Sequence, residues 1–133
     1  MKPLNNTTEL GRYGERMAAR FLAKKGYRVL ERNYHASHNE IDLIVEDREY
    51  IVFVEVKARS RSTLDTAYGT PASAVTRSKQ LRLIQAAYAY LSDHPTQKQP
   101  RMDVLEIYFE KQHSPLKQPR VREYNHIINA FGG

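Results

Sequence analysis

The 133-residue sequence contains no cysteine. This absence excludes disulfides, zinc sites built on thiolates and cysteine nucleophiles, so a bound metal would need oxygen or imidazole ligands. The sequence also lacks any apolar run near the roughly 18 residues that a membrane-spanning helix requires. Its first residues lead into no hydrophobic signal segment. We therefore expect a cytoplasmic protein with no membrane partner.

A glycine-rich phosphate loop and internal repeats are also missing. The missing loop argues against a hydrolase of small phosphorylated molecules, which is one alternative function. The hydrophobic content of 41% and charged content of 27% are ordinary for a globular protein, and the length suits one domain over residues 1–133. The formal charge of +6 and the pI near 9.6 favour a polyanionic partner such as nucleic acid.

Apolar periodicity and turn residues predict the order helix, three strands, helix, strand, strand. The first helix begins with a capping box at Asn6 and stops at Gly26, and the second is capped by Thr76. Strands are predicted at 27–33, 40–46, 50–58, 102–109 and, as a short strand, 124–128. We predict that the second helix buries a stripe made of Leu81, Ile84, Tyr88 and Leu91. This order indicates an α/β fold with a mixed sheet flanked by helices.

Acidic residues interrupt two strands that should otherwise be apolar. Asp42 lies in the second predicted strand, and Glu55 is followed by Lys57 in the third. Buried carboxylates are costly unless they are paired or bind a metal, so their presence indicates a function. A hairpin turn of two or four residues would place Asp42 opposite or diagonal to Glu55 on one face, whereas an odd-length turn without a bulge would separate them.

Two converging carboxylates completed by water suit Mg²⁺ or Mn²⁺. Asp42 and Glu55 are therefore the predicted metal ligands. We expect Lys57 to position the attacking water or to neutralise charge that develops on the phosphorane. The alternative is that Glu55 and Lys57 form a paired or solvated edge of the sheet.

Basic residues follow the third strand and open the second helix, where they would meet the phosphates of a nucleic acid beside the metal. A solvated helix face is the alternative. These predicted nucleic-acid-binding residues are Arg59, Arg61, Arg77, Lys79 and Arg82.

Two histidines, His35 and His38, precede Glu40 and are candidates for a base or an extra ligand. A solvated loop explains both, because imidazole is not the preferred ligand of Mg²⁺. In the first helix, Gly11 and Gly14 flank the turn that presents Glu15. Close approach by a phosphate or another chain would explain these glycines, and a frayed helix start is the alternative.

Several short motifs occur in order along nearly the whole chain: Gly14-Glu15, Asn39-Glu40-Ile41-Asp42-Leu43-Ile44, Phe53-Val54-Glu55-Val56-Lys57-Ala58-Arg59, Tyr68-Gly69-Thr70-Pro71, Lys79, Arg101-Met102-Asp103-Val104 and Asn129-Ala130-Phe131. In these motifs the chain resembles the bacterial UPF0102 (YraN-like) family. Two positions depart from that family's usual residues, with Asn39 in place of a glycine and Tyr68 in place of a phenylalanine. The family in turn is similar to the PD-(D/E)xK nucleases, above all to archaeal Holliday-junction resolvases.

This resemblance implies a restriction-endonuclease-like core and a metal-dependent endonuclease that hydrolyses phosphodiester bonds. DNA is expected before RNA, including branched recombination or repair intermediates. The resemblance adds Glu15 to Asp42, Glu55 and Lys57 as an active-site candidate, and it makes Lys79 the first choice among the basic residues. By analogy with the resolvases we also expect a homodimer. The main alternative is a non-catalytic nucleic-acid-binding or scaffold protein that has kept the nuclease fold.

Overall fold

A computed structural model describes residues 7–59, 75–110 and 120–132, with the backbone alone described for residues 7–10. The order of its elements is the predicted one. They are α1 (Thr7–Lys24), β1 (Arg28–Ala36), β2 (Asn39–Glu46), β3 (Tyr50–Arg59), α2 (Arg77–Asp93), β4 (Gln99–Phe109) and β5 (Val121–Phe131). The last strand has 11 residues, so the prediction of a short strand there was wrong. Asn6, Arg61 and the motif at 68–71 lie outside the described residues.

The five strands form one mixed sheet in the order β1-β2-β3-β4-β5. Strands β3 and β4 are parallel, and the other neighbours are antiparallel. A parallel pair requires a crossover connection, and α2 lies in the segment that joins β3 to β4. The predicted α/β class, with a mixed sheet flanked by helices, is therefore confirmed, and the architecture is consistent with a nuclease-like core.

The two helices pack on opposite faces of the sheet because successive strand residues point to alternate sides. On one face α1 packs Ala18, Ala19 and Leu22 against strand residues that include Val52 and Val54. On the other face α2 packs against the residues that alternate with these, namely Ile44, Ile51 and Phe53. The middle of each of the strands β2, β3 and β4 is thus covered on both sides, and a charged side chain there is separated from water.

Half of the predicted stripe of α2 packs on the sheet. Ile84 and Leu91 are partly buried against the core, whereas Leu81 and Tyr88 are exposed, at 47% and 70% of their surface. The fully buried residues of the helix are Leu83, Ala86, Ala87 and Tyr90. The sequence of α2 offers apolar residues on more than one side, and the side with two alanines is the one that allows close approach to the sheet. The predicted cap is confirmed, because Thr76 Oγ1 accepts a hydrogen bond from the Lys79 amide at 3.1 Å.

Within the described ranges, neither helix combines the length and the apolar character needed to cross a lipid bilayer.

Candidate active site

Asp42 and Glu55 meet at the point where the ladder between β2 and β3 ends. The paired residues run from Glu46 with Ile51 to Leu43 with Val54, and one further step in this register sets Asp42 opposite Glu55. The Asp47 amide donates to the Tyr50 carbonyl at 3.0 Å, which leaves a two-residue turn between them. An even-length turn keeps the two carboxyl groups on one face, as expected from the sequence.

The Asp42 carboxylate takes the place of a backbone acceptor beside β3. Its Oδ2 accepts a hydrogen bond from the Val56 amide at 2.8 Å. A side chain that satisfies a strand amide is held in a fixed orientation, since an unpaired buried amide is costly. This bond therefore keeps the Asp42 carboxyl beside Glu55.

Glu55 is almost fully enclosed, with 4% of its surface exposed, and its charged neighbours are two lysines. Its Oε2 lies 2.7 Å from Lys79 Nζ and 4.0 Å from Lys57 Nζ. The nearer ammonium lies at the distance of a charge-assisted hydrogen bond and compensates the charge on Oε2.

The two carboxyl groups share one proton. Burial first, and then the hydrogen bond to Glu55 and its negative charge, raise the pKa of Asp42 to about 9. Burial alone would also raise the pKa of Glu55, but the hydrogen bond with Asp42 and the ammonium of Lys79 keep that pKa below its ordinary value. The pKa values of the two groups are therefore driven apart, and the protonated form is favoured at Asp42.

Glu15 reaches this pair from α1, which lies very close to the sheet. A Cβ on Gly14 would lie 3.1 Å from the Cβ of Ala58, so the glycine is explained by packing against β3 of the same chain. The expectation that a phosphate or a second chain explains Gly14 was wrong. Gly11, by contrast, has no atom within 4 Å of an added Cβ. Close packing at Gly14 is what brings the carboxyl group of the next residue to Asp42.

The Glu15 carboxyl lies among acidic neighbours. Burial, followed by the charge of Glu40, raises its pKa, while hydrogen bonds with Asp42 and Asn33 oppose that shift. The Asn33 amide nitrogen donates to Glu15 Oε1 at 2.7 Å and to Glu40 Oε1 at 3.1 Å in the orientation that satisfies both carboxylates. Sequence analysis did not assign a role to Asn33. Its left-handed backbone, with φ of 53°, interrupts β1, but an asparagine in a predicted strand gave no specific signal.

Lys57 lies on the same side as Glu55 and is partly buried. Burial lowers its pKa, and the nearby charges of Lys79 and Arg59 act in the same direction, whereas Glu55 opposes them. A lysine with a lowered pKa takes up and releases a proton nearer to neutrality than an exposed lysine.

The predicted phosphate-binding residues differ in their surroundings. Arg59 forms an ion pair with the buried Glu106, whose Oε2 lies 2.9 Å from Arg59 Nε, so this arginine is held by an internal partner that sequence analysis missed. Lys79 binds Glu55. Arg77 and Arg82 are exposed on α2, and Arg61 lies outside the described residues.

A cavity of about 200 Å³ contains the carboxylate pair. Lys79 and Arg82 line it on the α2 side, and His38 lines it at the turn between β1 and β2. His35 is exposed on β1, and its Nε2 lies 4.0 Å from Glu40 Oε1. The cavity thus combines a buried acidic centre with cationic walls.

The chain is thus an α/β protein with a mixed sheet, in which two carboxyl groups meet beside two lysines. The family described as "Uncharacterised protein family UPF0102" matches residues 14–107. The UPF0102 protein of Chlorobium chlorochromatii (strain CaD3) is 44% identical over 133 residues, covering 98% of this chain and 97% of the relative. The UPF0102 protein TTE1452 of Caldanaerobacter subterraneus subsp. tengcongensis is 40% identical over 132 residues, covering 98% and 100%. The chain belongs to the UPF0102 family.

Proposed function

We propose that this protein is a metal-dependent nuclease that hydrolyses phosphodiester bonds in nucleic acid, with DNA as the first candidate substrate. The observation that carries the proposal is the meeting of Asp42, which is half-buried, and Glu55, which is almost fully enclosed, beside Lys57 at the end of the β2–β3 ladder. Apolar side chains of the same size are often as stabilising as buried charges, or more so. A carboxylate pair in this position is therefore better explained by chemistry than by folding.

The donor set fits Mg²⁺ or Mn²⁺. Glu55 is a buried carboxylate whose pKa is kept below its ordinary value, and Asp42 is held beside it by the Val56 amide. The described residues contain no group of three or more His, Asp and Glu side chains arranged to hold a metal ion, so water and substrate oxygens would complete the coordination, as Mg²⁺ commonly allows. A bound ion would polarise the phosphodiester and lower the pKa of a water molecule.

The remaining residues have roles that follow from their positions. Lys57, whose pKa is lowered by burial, would exchange a proton with the attacking water at Nζ or hold the charge that develops on the phosphate. Glu15 would orient the Asp42 carboxyl through their hydrogen bond. Lys79 would leave Glu55 when a cation occupies the site and would then contact a phosphate oxygen.

Arg82 would contact the phosphates of the substrate on the α2 side, because it is exposed and lines the cavity of the carboxylate pair. Arg77, exposed at the first residue of the same helix, would contact a phosphate farther along the strand. We retain branched DNA as a candidate substrate and a homodimer as a candidate assembly, both from the resemblance to resolvases. Cytoplasmic localisation is part of the same proposal.

The test is cleavage of labelled four-way-junction, flap, single-stranded and duplex DNA in Mn²⁺ or in EDTA. We expect cutting that requires the metal and is lost in Lys57→Ala and Asp42→Ala. Glu46→Gln is the matched control, because Glu46 lies on the same strand as Asp42 and its Oε1 pairs with Lys98 at 2.9 Å, away from the site. Cutting that is equally fast in Asp42→Ala would contradict the site assignment.

The ion pair between Lys79 and Glu55 also favours a second function, that of a non-catalytic nucleic-acid-binding or scaffold protein. An ammonium 2.7 Å from Oε2 already compensates the charge that a metal would neutralise. This candidate predicts binding that weakens with salt and no metal-dependent cutting of any substrate by the wild type.

A further inference from the structure

A groove lies next to the carboxylate cavity, on the side of the molecule opposite to α2. Its volume is about 630 Å³, and it opens between α1 and the strands β1 and β2. Glu40 lines both the groove and the cavity, so the two are adjacent. The predicted phosphate-binding residues are all absent from its lining, which consists of Gly11, Arg12, Glu15, Arg16, Arg32, Asn33, His35 and Glu40.

The cationic side of the groove consists of three exposed arginines. Arg12 and Arg16 are four residues apart on α1 and therefore lie on one helix face. Arg32 lies across from them on β1. Among the carboxylate side chains that the structure describes, none lies at ion-pair distance from these three guanidinium groups, and Arg16 is stacked over the ring of Tyr13 at 5.5 Å. The three arginines are exposed and line the groove, where an external anion would meet them.

The acidic residues of the groove are engaged with each other through an amide. Asn33 donates to both Glu15 and Glu40, and Glu15 also has a hydrogen bond with Asp42 of the carboxylate cavity. The groove therefore has an acidic end next to Asp42 and a cationic remainder. On the other side of the cavity the charge is again positive, because Lys79 and Arg82 line it there.

We propose that this groove binds the phosphates on one side of the cleaved bond, while the α2 side binds those on the other, so that the substrate is a nucleic-acid strand that extends in both directions. The inference rests on the proposed function and narrows its substrate to internal phosphodiester bonds. Guanidinium groups suit this role, since each can bind a phosphate with two hydrogen bonds. A small phosphorylated molecule would leave the arginines of the groove without a partner.

The test measures binding of a labelled four-way junction and of one of its duplex arms in EDTA, at several salt concentrations. The variant combines Arg12→Gln, Arg16→Gln and Arg32→Gln. The matched control combines Arg20→Gln, Arg48→Gln and Arg122→Gln, which removes the same charge from exposed positions outside the groove. Thermal unfolding of both triple variants verifies that they fold.

We expect the groove variant to bind at least about ten-fold more weakly than the control. The slope of log K against log salt should fall in magnitude by about 2 to 3, as the loss of three phosphate contacts predicts.

Equal weakening of binding in the two triple variants would overturn the proposal that the groove binds phosphates. Groove-dependent binding without any Mn²⁺-dependent cutting by the wild type would overturn the nuclease function and leave the groove standing. Cutting by the wild type that the groove variant retains, with binding equal to the control, would overturn the groove alone. Absence of binding by the wild type would overturn both.

Discussion

Two groups of buried charged side chains lie on the same sheet, and their hydrogen-bond partners differ. Asp103 on β4 is fully buried and accepts hydrogen bonds from Arg101 Nε and Nη2, both at 2.9 Å, and from the Asn129 amide at 2.9 Å. His126 Nε2 lies 2.7 Å from its Oδ2. At the other group, Asp42 faces Glu55, a second carboxyl group. The first aspartate is surrounded by donors, whereas the second is next to an acceptor.

The shifts in pKa express the same difference. Burial would raise the pKa of Asp103, but the hydrogen bonds from His126 and Arg101 lower it. For Asp42, burial and the neighbouring Glu55 act together, and the pKa rises to about 9. Ionised Asp103 therefore stabilises the fold, while ionised Asp42 destabilises it. The two aspartates thus differ chiefly in how far their neighbours compensate their charge.

The largest effect on stability is expected at Asp103. In Asp103→Asn the guanidinium of Arg101, which is only 8% exposed, loses its charged partner in the interior. We expect the free energy of unfolding to fall by about 3–5 kcal/mol, measured by urea denaturation at neutral pH. Asp93→Asn, at an exposed position at the end of α2, is the control. If the free energy of unfolding falls no more than in the control, the contacts of Asp103 with Arg101, His126 and Asn129 do not stabilise the packing of β4 against β5.

The opposite sign is expected at Asp42. The side-chain amide introduced by Asp42→Asn would retain an acceptor for the Val56 amide and a donor for Glu55, so we expect a gain of about 1–3 kcal/mol at about pH 8, together with loss of cutting. The pKa of Asp42 is raised in the folded state, so the folded protein holds a proton that the unfolded chain releases above about pH 4. Wild-type stability contributed by this proton is therefore lost as pH rises toward about 9.

Because asparagine binds no proton, the advantage of Asp42→Asn over the wild type should grow between about pH 5 and about pH 8. Thermal unfolding of the two proteins in EDTA across this range measures the difference without metal. A difference that is constant with pH, or that shrinks as pH rises, contradicts the raised pKa of Asp42.

A smaller effect separates the two glycines of α1. The valine side chain in Gly14→Val would press on Ala58, which is already at contact distance from a Cβ, and should lower the free energy of unfolding by about 1–3 kcal/mol. Gly11→Ala places its methyl group in open space and should raise it by up to about 1 kcal/mol, the difference in helix propensity. Urea denaturation of both variants gives the two changes in the free energy of unfolding. If both variants are stabilised, or both destabilised, the proposed difference between Gly14 and Gly11 is wrong.

The smallest effect is expected for a charge pair at the surface. Arg28 Nη1 lies 3.9 Å from Glu46 Oε2, and the arginine side chain is 80% exposed. In Arg28→Gln we expect a change within about 0.5 kcal/mol, because water already screens the pair. Urea denaturation at low and high salt checks this. A loss of stability comparable to that of Asp103→Asn would mean that burial does not set the stability contributed by a charge pair in this protein.

Much of the fold was predictable because its signals are local. Hairpin turns, helix caps and alternation of apolar residues gave the element order and the shared face of Asp42 and Glu55. The buried face of α2 was not predictable in this way, since the segment has apolar residues on several sides and the sheet selects the one with small alanines. Glu106 and Asn33 were missed for a similar reason, as their partners Arg59 and Glu15 are distant in sequence.

Local patterns in the sequence were sufficient for the class of fold and for the position of two carboxylates within apolar strands. Which of the charges are compensated depends instead on how the helices pack on the sheet. Lys79 belongs to α2, and packing on the sheet sets its ammonium against Glu55. Glu15 joins the pair because Gly14 allows α1 to approach β3. Local rules act over a few residues, whereas the electrostatic state of a buried group depends on every element that packs around it.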